Sequence, residues 1–161
     1  MIVHKHGFIL DVDLKETARY SREHSLCDCN EDRNFYAQAR EMFPKLTELL
    51  AELGLLIERP DEIGSVAMDD YIDYLFVAYT VIGNILESDK YELELFDGEL
   101  TLRVVIDHSY IPNEQETKQL FTVTVYNIDL PWVLNEPFPA CDAPVRGPAL
   151  FRKIKDCFRK K

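Results

Sequence analysis

The first third of the chain carries the hydrophobic repeat of an α-helix. Its apolar residues are spaced alternately four and three positions apart: Phe35, Ala39, Met42, Leu46, Leu49 and Leu53. This spacing places them on one helical face. Asn30 is the predicted N-cap, and Gly54 supplies the stop. Because proline lacks a backbone donor, Pro44 predicts either a kink or two helices, one ending near Met42 and the next beginning at Pro44.

The N-terminal residues alternate between apolar and polar side chains. Residues 2–13 follow this period of two, which predicts one half-buried strand with His4 and His6 on its apolar face. Asp13 precedes Leu14, and Glu16 stands three positions after Asp13. This N-cap and capping-box pattern predicts a helix that continues to about His24.

The period of two returns after residue 60. Residues 71–82 carry apolar side chains at both odd and even positions, as in a central strand covered on both faces. Asp97-Gly98 predicts a tight hairpin between strands over 91–96 and 99–107, and a further strand follows over 120–128. Since helices and strands are segregated, we predict a two-layer α+β fold with the N-terminal helices packed on an antiparallel β-meander.

The end of the chain changes in composition. Five of the eight prolines lie between residues 131 and 148, which predicts an extended strap with Trp132 as its anchor. We therefore predict one domain over residues 1–148. Residues 149–161 are predicted to form a basic amphipathic helix that docks on the acidic body through Leu150, Ile154 and Phe158.

The charge is strongly acidic and unevenly distributed. The net charge is −11, and residues 149–161 hold six of the 18 basic and one of the 29 acidic residues. The other 148 residues keep 12 basic and 28 acidic side chains, a net charge of −16. Such a body repels nucleic-acid phosphates and attracts a cationic protein. No apolar run is long enough for a membrane span, and the start lacks an export signal, so we expect a cytoplasmic protein with free thiols.

A short segment between the first two predicted helices carries residues that bind metal ions. His24, Cys27, Cys29 and Asp32 lie within nine positions. Thiolate and imidazole are good zinc ligands, and a turn before a helix brings closely spaced ligands together. If Asp32 is not the fourth donor, the candidates are Cys141, Cys157, His4 and His6. The alternative is that both cysteines are half-buried packing residues at the helix start.

The same segment resembles an uncharacterised bacterial protein family with a Cys-x-Cys-x-x-Cys-Arg-Asn-Phe/Tyr signature. The matching residues are Cys27, Cys29, Arg33, Asn34 and Phe35, then Gly54-Leu55, Arg59-Pro60-Asp61-Glu62 and Leu130-Pro131-Trp132-Val133. Asp32 occupies the position of the third cysteine. The resemblance spans about residues 27 to 134 and implies no activity. Independently of it, Arg33 opposes the helix dipole in the first turn, so we expect a carboxylate or carbonyl partner for its side chain.

The sequence favours a non-catalytic protein over an enzyme. Asp11 and Asp13, with Asp69 and Asp70, resemble the first and last motifs of haloacid-dehalogenase-like phosphatases, which use aspartates as nucleophile and acid/base. However, the elements between them do not alternate as that fold requires. A nucleophile pair of Cys27 and His24 lacks an orienting residue. The leading hypothesis is a protein-binding protein, an adaptor or immunity-type protein, that acts through its acidic surface; the alternatives are a zinc-binding protein and a carboxylate-dependent hydrolase.

Overall fold

A computed structural model describes residues 1–90, 92–108 and 119–139. The three helices are α1 (Leu14–Glu23), α2 (Asn30–Met42) and α3 (Pro44–Glu52). The eight strands of this part of the chain are β1 (Ile2–Lys5), β2 (Phe8–Val12), β3 (Glu62–Ala67), β4 (Tyr71–Ser88), β5 (Glu92–Asp97), β6 (Leu100–Asp107), β7 (Leu120–Tyr126) and β8 (Ile128–Pro131). Every strand pair is antiparallel. The predicted α+β class, with N-terminal helices on a β-meander, is confirmed.

Strand β4 is the central strand of the sheet. The strand order is β1-β2-β4-β7-β6-β5, and β3 and β8 also pair with β4. The 18 residues of β4 contact β3 and β8 in the first half of the strand, β7 in the middle and β2 at the end. Gly83 lies where β2 meets β4, and a Cβ there would stand 2.1 Å from the Asp11 carbonyl oxygen. This crossing therefore requires glycine.

The helices and the sheet enclose one hydrophobic core. Its largest fully buried side chains come from both layers: Tyr74, Tyr79, Phe8, Phe35, Phe43, Phe121, Leu10, Leu46, Leu50, Ile57, Ile72 and Leu102. Polar contacts hold the helical layer in register with the sheet. Asp97, in the hairpin between β5 and β6, accepts a hydrogen bond of 2.7 Å from the Leu46 backbone N–H in the first turn of α3. The hairpin thus binds the first turn of a helix through residues that are 51 positions apart in the chain.

The N-terminal segment differs from the prediction of a single strand. His6 (φ 50°) and Gly7 (φ 87°) form a tight turn, so β1 folds back on β2 with Lys5 opposite Phe8. The alternation continues through the turn, which is why the pattern alone did not reveal it. His4 and His6 are exposed, and their predicted place on an apolar face is wrong. The N-cap prediction for α1 is confirmed, because Asp13 accepts a hydrogen bond of 3.1 Å from the Glu16 N–H.

The helical stretch divides at Pro44 into α2 and α3, which is one of the two outcomes that the sequence predicted. Met42 is 43% exposed, so it leaves the predicted apolar stripe at the point where α2 ends. The N-cap of α2 is Cys29 rather than Asn30, and Asn30 is the first helical residue. The Asn30 side chain accepts a hydrogen bond of 2.7 Å from Arg33 instead of capping the helix. Gly54 ends the helical stretch with a φ of 83°, as predicted.

Two strands lie outside the sequence prediction. The sequence did not predict β3. The predicted strand over 120–128 divides at Asn127, a left-handed residue (φ 67°), into β7 and β8. β8 ends at Pro131, which pairs with Tyr71 at the start of β4. Trp132 is half-buried against Phe138, as expected for an anchor of the strap. Residues 140–148 of the strap and the predicted helix over 149–161 lie outside the described residues.

A completely buried amide connects α2 to the residues that follow β8. The Asn34 side chain donates hydrogen bonds to the Pro131 carbonyl (3.0 Å) and to the Tyr74 hydroxyl (3.2 Å), and it accepts one from the Val133 N–H (2.9 Å). Gln38, one turn further along α2, donates to the same Pro131 carbonyl at 2.8 Å. We call Asn34, Gln38, Tyr74 and the Pro131–Val133 backbone the amide clamp.

We predict that Asn34→Ala lowers the free energy of unfolding by about 3 kcal/mol, because the Val133 N–H, the Pro131 carbonyl and the Tyr74 hydroxyl each lose a hydrogen bond to the buried amide. Urea denaturation followed by circular dichroism measures this loss. The exposed Asn135 provides the matched control, and Asn135→Ala is expected to change the free energy of unfolding by less than about 0.5 kcal/mol. Equal losses in the two variants would contradict the role of the clamp.

Candidate metal centre

The connector between α1 and α2 is fixed by residues from a later loop. Arg59 donates hydrogen bonds of 2.6 Å to the carbonyl oxygens of Ser21 and His24. The His24 ring lies between two more carbonyl oxygens, that of Tyr20 at 3.1 Å from Nδ1 and that of Pro60 at 3.0 Å from Nε2. These contacts fix the position of the end of α1, and therefore the position at which the cysteine segment begins.

Three of the four predicted ligands lie together. The sulfur atoms of Cys27 and Cys29 and a carboxylate oxygen of Asp32 all lie within 4.8 Å of one another. Both cysteines are free and exposed, whereas Asp32 is only 6% exposed. The Cys29 N–H donates to the Cys27 sulfur at 3.4 Å, which keeps the connector folded over its own first cysteine. A tetrahedral zinc ion with Zn–S bonds of about 2.3 Å holds two sulfur atoms about 3.8 Å apart. The ligand atoms, all within 4.8 Å of one another, are therefore at most about 1 Å farther apart than this sulfur–sulfur distance.

Position on the helix explains why these side chains converge. Cys29 is the N-cap of α2, and Asp32 is the third residue of its first turn. Residues three apart share a helix face, so the carboxylate lies beside the N-cap side chain. Tyr36, one turn further, donates a hydrogen bond of 3.4 Å from its hydroxyl to the Cys27 carbonyl. The tyrosine thereby holds the Cys27 backbone over the same face.

Burial and mutual contacts shift the pKa values of Cys29, Asp32 and Tyr36. Burial raises the pKa of the Asp32 carboxyl, while hydrogen bonds from Cys29 and Cys27 act in the opposite direction. Loss of solvent beside this carboxyl, followed by the hydrogen bond with Cys27, raises the pKa of the Cys29 thiol to about 12. Burial, and then the Asp32 charge, also raises the pKa of Tyr36. Because the pKa of the Cys29 thiol is raised, a metal ion that binds there would have to displace its proton.

The structure does not bring His24 to the cysteines. Its ring nitrogens lie at hydrogen-bond distance from the Tyr20 and Pro60 carbonyl oxygens, and the ring is not part of the group formed by Cys27, Cys29 and Asp32. His4 and His6 belong to the β1–β2 hairpin, beside residues 87–89 at the far end of β4. The cysteine cluster lies near Tyr74 at the other end, because the Tyr74 hydroxyl donates to the Glu31 carbonyl. Cys141 and Cys157 lie outside the described residues.

The carboxylates of the hydrolase hypothesis also stay apart. Asp11 pairs with Asn84 near the end of β4, whereas Asp69 and Asp70 precede its first residue, Tyr71. Thirteen residues of extended strand correspond to about 40 Å. The strands are antiparallel, so their ends do not gather at one edge. This arrangement offers no shared pocket for Asp11, Asp13, Asp69 and Asp70.

Arg33 has the carboxylate partner that the sequence analysis expected. Its guanidinium donates two hydrogen bonds to Glu136, at 2.6 and 2.8 Å, and its Nε lies 3.5 Å from a carboxylate oxygen of Asp28. The hydrogen bonds from Arg33 hold the pKa of Glu136 below its ordinary value. Asp28 stands between the two cysteines in the sequence. The ion pair therefore attaches the segment after β8 directly beside the cysteine cluster.

Sequence reasoning did not identify Glu136, Tyr36 or Tyr74 as parts of this region. Tyr36 follows Asp32 by four residues, and this helical spacing was the one available signal. Tyr74 and Glu136 are 40 or more residues away along the chain from the α2 residues that they contact, so no local pattern links them.

No protein-family model, curated protein or solved structure matches this chain. The resemblance to a cysteine-signature family therefore stays a prediction. Within the described ranges, none of the helices combines the length and apolar character needed to cross a lipid bilayer.

We predict a specific pH dependence for the Arg33–Glu136 pair. Because the pKa of Glu136 is lower in the folded protein, its carboxylate stabilises the fold fully above its ordinary pKa, and this contribution is lost as the pH falls through the lowered value. The free energy of unfolding should thus fall more steeply between about pH 5 and 3 in the wild type than in Glu136→Gln. Urea denaturation at each pH measures the difference. Glu62→Gln removes an exposed glutamate on β3 as the control; parallel curves for wild type and Glu136→Gln would contradict the prediction.

Proposed function

We propose that this protein binds a zinc ion through Cys27, Cys29 and Asp32. The observation that carries the proposal is the approach of three ligand atoms to within 4.8 Å of one another at the start of α2. Two thiolates and one carboxylate are a donor set that suits zinc, which accepts sulfur and oxygen ligands in a tetrahedral arrangement.

The surroundings support binding of a cation. The sulfurs belong to exposed residues, so an ion can reach them from solvent, and the buried carboxylate lies behind them. When all three groups are ionised, three negative charges stand within 4.8 Å, and a divalent cation offsets that repulsion. Cys29 is also the N-cap of α2, and although burial raises the pKa of its thiol, the backbone N–H of Asp32 lowers that pKa by a smaller amount.

The amide clamp and the Arg33–Glu136 ion pair hold the start of α2 in a fixed position. Because Asn34 and Arg33 hold the first turns of α2, the metal-binding side chains there lose little conformational freedom when the ion binds. The role that we infer is structural or storage-like binding of zinc. Catalysis is not part of the proposal, because the described residues around the cluster supply no separate general base or nucleophile pair.

The test is zinc binding by the full-length protein, purified without a metal-affinity tag, stripped with chelator and reloaded. We expect one equivalent of zinc for the wild type, and we expect Cys27→Ser and Cys29→Ser to weaken binding by about 100-fold or more, because each removes a direct ligand. Competition with a chromophoric chelator measures the affinity.

Asp32→Asn has a matched control in the neighbouring carboxylate. Asp28 is exposed and is not part of the cluster, so Asp28→Asn should keep the wild-type affinity while Asp32→Asn weakens it. Circular dichroism spectra check that each variant folds. A wild-type protein that takes up no zinc, or cysteine variants that bind as well as wild type, would overturn the proposal.

A second candidate function is the protein binding that the acidic composition suggested. The observation that favours it is the β5–β6 hairpin, where Phe96 is 65% exposed and Glu92 and Glu94 share its strand face. Among the described strands, β5 pairs only with β6 and lies at the end of the sheet. An exposed strand with one aromatic and two acidic side chains suits the addition of a cationic extended segment.

We predict that Glu92→Lys/Glu94→Lys and Phe96→Asp abolish capture of a cationic partner that crosslinks to the wild-type protein. Crosslinking with mass spectrometry identifies that partner and the residues joined. Glu87→Lys, an exposed charge reversal at the end of β4, is the control that should keep the partner. Crosslinks that fall outside the hairpin, or capture that survives all three hairpin substitutions, would exclude this surface.

A further inference from the structure

We infer that the extended segment added at β5 is strand β1 of a second copy of this chain, so that copies join head to tail through the two ends of the sheet. This inference rests on the second candidate function, the addition of a cationic strand at β5, and it names that strand. Among the described strands, β1 and β5 lie at opposite ends of the order β1-β2-β4-β7-β6-β5. Each of them pairs with one antiparallel neighbour.

The charge of the β1 segment differs from that of the whole chain. Residues 1–10 contain no Asp or Glu, although the chain has 29 acidic residues and a net charge of −11. The same segment carries three basic side chains: His4, Lys5 and His6. Strand β5 instead exposes Glu92 and Glu94. A net charge of −11 opposes contact between copies, so a contact needs a surface without carboxylates, and β1 supplies one.

The turn of the β1–β2 hairpin shows which backbone groups of β1 face outward. Lys5 and Phe8 flank a two-residue turn and lie opposite each other. Residues that flank such a turn form a hydrogen-bonded pair, and alternate residues along the strand then direct their N–H and C=O groups away from the partner strand. Ile2 and His4 therefore present these groups at the edge of the sheet. Their side chains are exposed, whereas Val3 packs against the core.

Strand β5 presents alternate residues in the same way. Asp97 and Leu100 flank the two-residue turn between β5 and β6. The residues with outward backbone groups also have exposed side chains: Glu92, Glu94 and Phe96. Lys45 Nζ donates a hydrogen bond of 2.6 Å to the Phe96 carbonyl, which agrees with an outward direction of that carbonyl. A carbonyl oxygen has two lone pairs, so it can also accept a hydrogen bond from an added strand.

One antiparallel register matches the two edges residue by residue. It makes three cross-strand pairs: Ile2 with Phe96, Val3 with Leu95, and His4 with Glu94. Ile2 is 50% and Phe96 65% exposed, so their contact removes apolar surface from water. Val3 and Leu95 are both partly buried against the core of their own copy. An imidazole N–H donates to a carboxylate whether the ring is neutral or protonated, which suits the third pair.

Pairing of two β5 strands is less favourable. An antiparallel pair centred on Glu94 places this carboxylate opposite its own copy, and like charges directly opposite each other destabilise a sheet. The Arg103 guanidinium does not prevent this, because it lies 3.4 Å from Glu92 and over the Tyr126 ring. The β1–β5 contact is heterologous and leaves one β1 and one β5 at the ends of each assembly, so copies add into an open filament or close into a ring.

The test is sedimentation velocity of the full-length protein at a series of concentrations, without a tag at the N-terminus beside β1. We expect the sedimentation coefficient of the wild type to rise with concentration, through a weak association of short strands. His4→Glu and Glu94→Lys should each weaken self-association by about tenfold, because the first opposes two carboxylates and the second removes the acceptor of the imidazole N–H. Glu62→Lys makes the same charge change at an exposed position of β3 and should associate as the wild type does.

A mixture of the two variants tests the pairing itself. In an equal mixture of His4→Glu and Glu94→Lys, the changed β1 of one protein meets the changed β5 of the other, and the remaining edges keep the wild-type pair. We therefore expect the mixture to associate at concentrations where each variant alone is monomeric.

The outcomes separate this inference from the second candidate function. A wild type that stays monomeric at every concentration overturns the inference, whereas crosslinking of a different cationic protein to the β5–β6 hairpin would still support protein binding there. The inference also fails if neither variant weakens self-association, if Glu62→Lys weakens it equally, or if the mixture stays monomeric. Circular dichroism excludes misfolding as the cause of any loss.

Discussion

The buried amide of Asn34 is the contact on which the arrangement around α2 depends. Its fully buried side chain makes three hydrogen bonds, and their partners come from β4, from the last residue of β8 and from Val133. A buried polar group with this many partners specifies one position of the helix, because any shift would leave donors and acceptors unpaired. Apolar contacts across the same interface allow sliding at much lower cost.

The cysteine cluster is a consequence of that position. With α2 fixed by Asn34 and Gln38, the first turn of the helix points Cys29 and Asp32 toward one side, and the connector must return there from the end of α1. Arg59 holds the end of α1, and Tyr36 holds the Cys27 carbonyl. Several residues of the proposed family signature therefore have a structural role here, which does not depend on whether a metal is bound.

The start of α2 carries both the cysteine cluster and an ion pair that stabilises the fold. The clustered thiols and carboxylate are costly when ionised together, whereas Arg33 and Glu136 form a pair of opposite charge, and Arg33 also lies 3.5 Å from Asp28, between the two cysteines in the sequence. Arg33 is in the first turn of α2, where the helix dipole disfavours a cation, and the bidentate carboxylate compensates for that cost. The region is thus stabilised by specific pairs of opposite charge.

The sequence by itself determined the local elements, because their signals lie within a few residues: Asp13 as a cap, the division at Pro44, the stop at Gly54 and the Asp97-Gly98 hairpin. It also identified Cys27, Cys29 and Asp32, which are close in the chain and therefore close in space. Only the tertiary structure separated His24 from them, turned β1 back at His6-Gly7 and joined Arg33 to Glu136. Those outcomes depend on the competition among carbonyls, carboxylates and strands far apart in sequence, which no local pattern records.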